Sequence, residues 1–156
     1  FQEVRERRGL CYSVYAFSSG LTDSGMFVVH AAGAPEKAHE LFSVIRDELE
    51  RAAADGFDQA ELARVKAQMK MGLLAALESS SARAEQLARH ILFRGRVLPT
   101  SELVERIEAV ETADLQALLQ KVLGTPVSLA TVGPVVNLGQ FEAVADKFIV
   151  PASRAA

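Results

Sequence analysis

This sequence has a single cysteine, no excess of positive charge and no long hydrophobic run. Cys11 is the one cysteine among 156 residues, which excludes an internal disulfide and a zinc site built on cysteines. Lysine and arginine number 17 against 20 aspartates and glutamates, and the net charge is −3. This balance argues against a nucleic-acid partner. A single cysteine also favours a reducing compartment.

No apolar run approaches the roughly 20 residues that a membrane-spanning helix needs, so we expect no membrane partner. Hydrophobic residues nevertheless make up 49% of the chain, which is too many for a disordered protein. A chain of this length can hold one core of ordinary size. No linker or internal repeat divides it, and we predict a single domain over residues 1–156.

The first third of the chain predicts a helix followed by a β-hairpin. Residues 1–8 read as a helix that ends at Gly9, a residue suited to the left-handed position past a helix end. Side chains alternate over residues 11–19, and an apolar run follows at residues 26–32. Two antiparallel strands joined by a longer loop are therefore predicted. A third strand is predicted over residues 125–132, where apolar and small side chains again alternate.

The rest of the chain predicts helices. Together with the strands, they predict an α+β fold with an antiparallel sheet and several helices packed on one face. Helical spacing and capping residues mark their ends. The expected boundaries are a helix over 35–54, caps at Asp58, Thr100 and Thr112, a break at 79–81, a stop at Gly95, and a last helix near 139–148. Three strands are few for this much helix, so we expect a preceding segment to supply more strands.

The histidines give no sign of a metal site. His30 lies on a predicted strand, and His39 and His90 lie on separate predicted helices. None has a second histidine four residues away, so the zinc helix signature and its inverted form are both absent. Packing or surface roles are the expected ones for all three, and Cys11 is expected to pack as a small hydrophobic residue.

Arg5 and Tyr12 stand on either side of Gly9, seven residues apart. A bend at the glycine can bring a guanidinium and a phenol to the same point in space. Together they offer a fixed cation and an uncharged O–H donor, which suits a carbonyl that becomes an oxyanion. The alternative is that Arg5 is a favourable charge at a helix C-terminus and Tyr12 an ordinary strand residue. The residues alone leave both interpretations open.

Residues 1–15, FQEVRERRGLCYSVY, closely resemble the second half of the pitrilysin-type (insulinase-type) zinc peptidases, the M16 family. They are most similar to the branch of the mitochondrial processing peptidase β subunit and its bacterial relatives. Later stretches resemble family motifs in the same order, so that the resemblance covers nearly the whole chain. These stretches are residues 23–27, 61–68, 77–79, 94–96 and 131–135.

The resemblance implies a protein of two related halves that enclose a chamber. The first half carries Zn²⁺ on an HxxEH motif with a distal glutamate, and the second half supplies an arginine and a tyrosine across the cleft. Arg5 and Tyr12 match these two positions. Tyr12 is therefore expected to hydrogen-bond the scissile carbonyl or its oxyanion, and Arg5 to hold the substrate and orient the site.

The HxxEH motif is missing from this sequence. We therefore expect the chain to be the C-terminal part of the second half, an incomplete M16-type half without its upstream residues and without the zinc-binding half. Such a chain binds no metal or other cofactor of its own and is inactive alone. Its expected partners are its own N-terminal zinc-binding half or a partner subunit, and a peptide substrate; a dimer is a further option.

Two other functions compete with the zinc endopeptidase. The parent protein could be a non-catalytic relative, such as a partner or core-type structural subunit, or the chain could be an interaction module without chemistry. The Arg5/Tyr12 pair favours the peptidase, since an inactive subunit has less need of it. The composition favours a bacterial, cytoplasmic protein over a periplasmic one or one of the mitochondrial matrix.

Overall fold

The computed structural model describes residues 1–134, which fall into two compact units. Of the described residues, the first unit contains Phe1–Asp55 and 116–134, and the second contains Gly56–Leu115. In chain order the elements are a helical segment at Gln2–Arg7, β1 at Ser13–Gly20, β2 at Gly25–Ala32, a 3-10 turn at Pro35–Lys37, α1 at Ala38–Asp55, α2 at Gln59–Ala76, α3 at Ser80–Arg94, α4 at Thr100–Glu108 and α5 at Thr112–Leu123. This arrangement confirms the α+β class. The prediction of one domain belonging to a larger half stays a prediction.

Strands β1 and β2 form an antiparallel hairpin, as the alternating side chains predict. Ser13 pairs with Ala32 at the open end and Gly20 with Gly25 at the closed end. The loop between them is closed by a hydrogen bond of 2.8 Å from the Leu21 N–H to the Ser24 carbonyl. The hairpin therefore leads the chain back from its tip to the start of α1.

The core of the first unit lies where the hairpin base, the N-terminal helical segment and α1 meet. Its buried residues are Val4, Leu10, Cys11, Leu41 and Val44, with Val14, Ala31 and Ile45 packed against them. Cys11 is thus a packed, free thiol, as expected. A second cluster joins α1 to α5 through Ala53 and Leu123. The Gln116 and Gln120 side chains donate to the Ala53 carbonyl near the end of α1.

Helix ends in the second unit follow the predicted capping residues in part. The Asp58 carboxylate accepts the Ala60 N–H at 2.6 Å, the Ser79 hydroxyl accepts the Ala82 N–H at 3.3 Å, and Gly95 has a φ of 69° past the end of α3. The predicted cap at Asp58 and the predicted stop at Gly95 are confirmed, and the break predicted at 79–81 falls at 77–79, where Ser79 caps α3.

Thr100 and Thr112 are not caps, and both predictions were wrong by one residue. Thr100 is the first residue of α4, because Pro99 precedes it in an extended conformation and takes the capping position without a side-chain bond. Thr112 opens α5, and the Asp114 carboxylate accepts the N–H of Glu111 at 2.8 Å just before that helix.

The third strand predicted over residues 125–132 is absent from the structure. A strand exists through its hydrogen bonds to a neighbour, and among the described residues the sheet consists of β1 and β2 alone. The alternating side chains at Val127 and Leu129 are exposed instead. The last helix, predicted near 139–148, lies outside the described residues. Within residues 1–134, no helix has both the length and the apolar character that a membrane crossing requires.

Candidate functional site

The Gly9 bend joins the N-terminal helical segment to the hairpin. Gly9 has a φ of 57°, a left-handed conformation that glycine adopts without steric cost. The Leu10 N–H donates back to the Val4 carbonyl at 3.0 Å, and both of these side chains are buried. Hydrophobic anchors thus lie on either side of the glycine, and they fix the direction in which the chain leaves the helix.

Arg5 lies on the exposed side of the helical segment, with its guanidinium over the Phe1 ring at 5.0 Å from the ring centre. Its arginine neighbours are paired differently. Arg7 and Arg8 donate to the two Glu3 carboxylate oxygens at 3.0 and 2.8 Å. The Arg8 hydrogen bond, followed by that of Arg7, lowers the pKa of Glu3. In the described chain Arg5 has no carboxylate partner, so its charge is available to a ligand.

Tyr12 lies on the other side of the bend, directly after buried Cys11. Its backbone N–H donates to the Ala32 carbonyl at 2.7 Å, which ties it to the end of β2. The side chain is 73% exposed, and its hydroxyl has no hydrogen-bond partner among residues 1–134. A phenol held by its backbone and free at its tip can donate a hydrogen bond to a substrate.

The structure therefore leaves both residues of the predicted pair at the surface of the first unit. Arg5 and Tyr12 are separated by the Gly9 bend, neither is enclosed in apolar packing, and within the described chain no hydrogen bond joins them. Their roles toward a substrate stay predictions.

Two residues that support the bend went unnoticed in the sequence. The Lys37 ammonium donates to the Gly9 carbonyl at 3.0 Å, across 28 residues of sequence. Gly33 allows the chain after β2 to approach Leu10 closely, since a Cβ at this position would lie 2.7 Å from the Leu10 carbonyl oxygen. Nothing in the local sequence distinguishes Lys37 from other exposed lysines, whereas Gly33 directly after an apolar strand was a signal of close backbone approach.

The described residues do not fit a zinc site. Residues 1–134 contain no group of three or more histidine, cysteine, aspartate or glutamate side chains that could hold a metal ion. His30 stacks on Tyr15 with ring centres 4.8 Å apart, and His90 Nδ1 accepts the Leu98 N–H at 3.2 Å. Each of these rings has a structural contact of its own.

A shallow groove in the second unit is occupied by its own ion pairs. Lys66 and Lys70 of α2 both reach Glu108 at the end of α4; the Lys66 ammonium donates to the Glu108 backbone carbonyl at 2.7 Å. The Lys70 hydrogen bond is the main reason that the pKa of Glu108 is lowered. Because both lysines are paired, this groove joins α2 to α4 and leaves no free charge for a ligand.

Comparisons with known proteins agree on one family of sequences. Residues 1–69 match the family model described as "Peptidase M16 inactive domain". An "Uncharacterized zinc protease" of Streptomyces coelicolor is 36% identical over 134 residues, which is 86% of this chain and 29% of that protein. The "Uncharacterized zinc protease YmxG" of Bacillus subtilis is 30% identical over 138 residues, 88% of this chain and 34% of that protein. The chain thus spans between 29% and 34% of the length of these relatives.

Solved structures with the same fold include a chain of complex III2 from Candida albicans. Its TM-score is 0.66 at 22% identity, over 76% of this chain and 28% of that one. The periplasmic protease PqqL from Escherichia coli gives a TM-score of 0.61 at 15% identity, over 75% of this chain and 13% of that one. At these identities the likeness is one of fold.

Proposed function

This chain belongs to the M16 peptidase family, and we propose that it forms the substrate-side part of a zinc-dependent endopeptidase. The resemblance seen in residues 1–15 is confirmed, and the chain carries the inactive domain of zinc protease-like proteins. An inactive domain contributes to peptide cleavage by holding the substrate and by stabilising charge that develops on it. The proposal therefore concerns binding and polarisation of the peptide.

The observation that carries the proposal is the exposed pair of polar groups on the Gly9 bend. The Tyr12 hydroxyl donates a hydrogen bond to the scissile carbonyl oxygen, and this bond strengthens as the oxygen gains negative charge. Arg5 lies free of any carboxylate in the described chain and binds carbonyl or carboxylate groups of the same peptide. Both groups act through hydrogen bonds, so neither has to change its protonation state.

In this proposal Zn²⁺ belongs to the part of the parent protein that lies outside this chain. The relatives are named zinc proteases, whereas residues 1–134 supply no group of metal ligands. The N-terminal zinc-binding half of the same protein, or a partner subunit, then faces the bend with the peptide between them. The chain forms the C-terminal part of the second half and cleaves nothing by itself.

The test is peptide hydrolysis by the full-length protein with Arg5 replaced. Arg5→Ala removes charged hydrogen bonds worth about 1.5–3 kcal/mol, so kcat/KM falls by about 10- to 100-fold and KM rises. Arg5→Lys recovers part of the loss. Arg83→Ala is the matched control, because Arg83 is an exposed arginine of α3.

Three outcomes separate the peptidase from its alternative. Loss of activity in Arg5→Ala with Arg83→Ala at wild-type level supports the proposal. If all variants are as active as the wild type, Arg5 is not part of the site. A full-length protein without bound zinc and without hydrolysis identifies a non-catalytic partner or core-type subunit instead. The narrower likeness to processing peptidases is tested by replacing the short peptide with a precursor protein that carries a targeting sequence.

A further inference from the structure

The carbonyl of Gly9 is held by a side chain that follows the hairpin in the sequence. Carbonyls past a helix end lack partners within the helix and need one from elsewhere. The Lys37 ammonium meets this need at 3.0 Å, and Lys37 itself is fixed in the 3-10 turn by its N–H bond to the Ala34 carbonyl, also at 3.0 Å. The contact therefore connects the bend to the start of α1.

The rest of the bend is held by the backbone and by packing. Leu10 and Cys11 are buried, the Tyr12 N–H is bonded to Ala32, and Gly33 passes close beneath the Leu10 carbonyl. These contacts fix the strand side of the bend. Lys37 acts at the glycine itself, the point where the helix side and the strand side can rotate against each other.

We propose that Lys37 is a positioning residue, which sets the orientation of Arg5 relative to Tyr12 by holding the Gly9 carbonyl. The inference rests on the function proposed above. An exposed lysine hydrogen bond adds little to the stability of a fold. Catalysis is far more sensitive, because a displacement of about 1 Å can cost about 100-fold in rate. Lys37 therefore affects turnover much more than unfolding.

The first experiment needs no enzymatic activity. Hydrogen exchange of the Leu10 and Tyr12 amides is measured in the full-length protein for Lys37→Met, which keeps the length of the side chain and removes its donor. We expect exchange at both amides to accelerate about 3- to 10-fold, the effect of losing one hydrogen bond, with an unchanged urea midpoint, and Lys37→Arg to restore protection. The control is Lys121→Met, which removes an exposed lysine of α5 in the same unit. Exchange at the wild-type rate in Lys37→Met overturns the proposal.

The second experiment measures kcat and KM in the full-length protein. Lys37→Met is expected to lower kcat about 3- to 10-fold because the pair is displaced, Lys37→Arg to recover it, and Lys121→Met to leave it unchanged. In a Tyr12→Phe background, Lys37→Met should lower kcat by less than 2-fold, since the effects of residues that act through one group are not additive. If Lys37→Met lowers kcat in that background as much as it does in the wild type, Lys37 does not act through Tyr12 and the proposal is overturned. If the single variant Tyr12→Phe turns over like the wild type, the proposed function is wrong. The hydrogen-exchange result for Lys37 is not affected by that outcome.

Discussion

Gly9 is the residue on which the geometry of the candidate site depends most directly. Its φ of 57° is a conformation that a side chain with a branched Cβ resists, and no atom lies near enough to obstruct an added Cβ. We therefore expect Gly9→Val to destabilise the chain by about 1–2 kcal/mol through backbone strain alone. The measurement is urea unfolding of this chain.

Gly20 supplies the control for this substitution. It ends β1 with open space around it, so that Gly20→Val should unfold close to the wild-type midpoint. Equal stability of Gly9→Val and wild type would mean that the helical segment does not end at this glycine.

At the residue scale, the sequence could predict Arg5 and Tyr12 because the signal is local. A basic residue, a glycine and a tyrosine within eight positions are visible by inspection. Lys37 could not be found in this way, since its contact with Gly9 crosses 28 residues and exists only after the hairpin has formed. Local chemistry is readable from a sequence, whereas long-range hydrogen bonds depend on the register of strands between the partners.

At the scale of elements, predictions succeeded where one residue determines the backbone. Gly9 and Gly95 have positive φ angles, and the Asp58 carboxylate accepts the Ala60 N–H at the start of the following helix. The prediction of the hairpin was right because its two strands are adjacent in the chain. The prediction of a strand over residues 125–132 was wrong for the opposite reason. Apolar and small side chains alternate there as in a strand, but a strand also requires a hydrogen-bonded neighbour.

In the connection between α3 and α4, the Glu102 carboxylate accepts hydrogen bonds from two arginines. The Arg96 guanidinium donates to both Glu102 oxygens at 2.8 and 2.7 Å, and Arg106 adds a third bond at 2.8 Å. The hydrogen bond from Arg96 is the largest cause that lowers the pKa of Glu102, with that from Arg106 next, and the pKa is about 2. This group remains charged in the folded chain at pH values where an ordinary glutamate takes up a proton.

We expect the contribution of Glu102 to stability to be fully present above about pH 4.5 and to vanish as the pH falls toward 2. The sign follows because the unfolded chain takes up the proton first, so acid favours unfolding. The measurement is the difference in urea midpoint between wild type and Glu102→Gln at pH 6 and pH 3. A difference that is as large at pH 3 as at pH 6 contradicts the assignment, and added salt should reduce it because the group is exposed.

At the scale of the whole molecule, this chain corresponds to only part of the proteins that it resembles. It spans between 29% and 34% of the relatives named zinc proteases, and its described residues hold no metal cluster. The sequence predicted the α+β class and the family, since both depend on patterns within the chain. The identity of a substrate could not follow from these patterns.

The central claim is that the Tyr12 phenol donates a hydrogen bond to the peptide carbonyl during cleavage. The most direct measurement is kcat of the full-length protein as Tyr12→Phe, with zinc content determined on the same samples. Tyr15→Phe is the matched control, since it removes the other tyrosine hydroxyl, whose ring stacks on His30. We expect Tyr12→Phe to lower kcat about 100-fold with zinc content unchanged, and Tyr15→Phe to turn over like the wild type. Wild-type turnover in Tyr12→Phe would contradict the account.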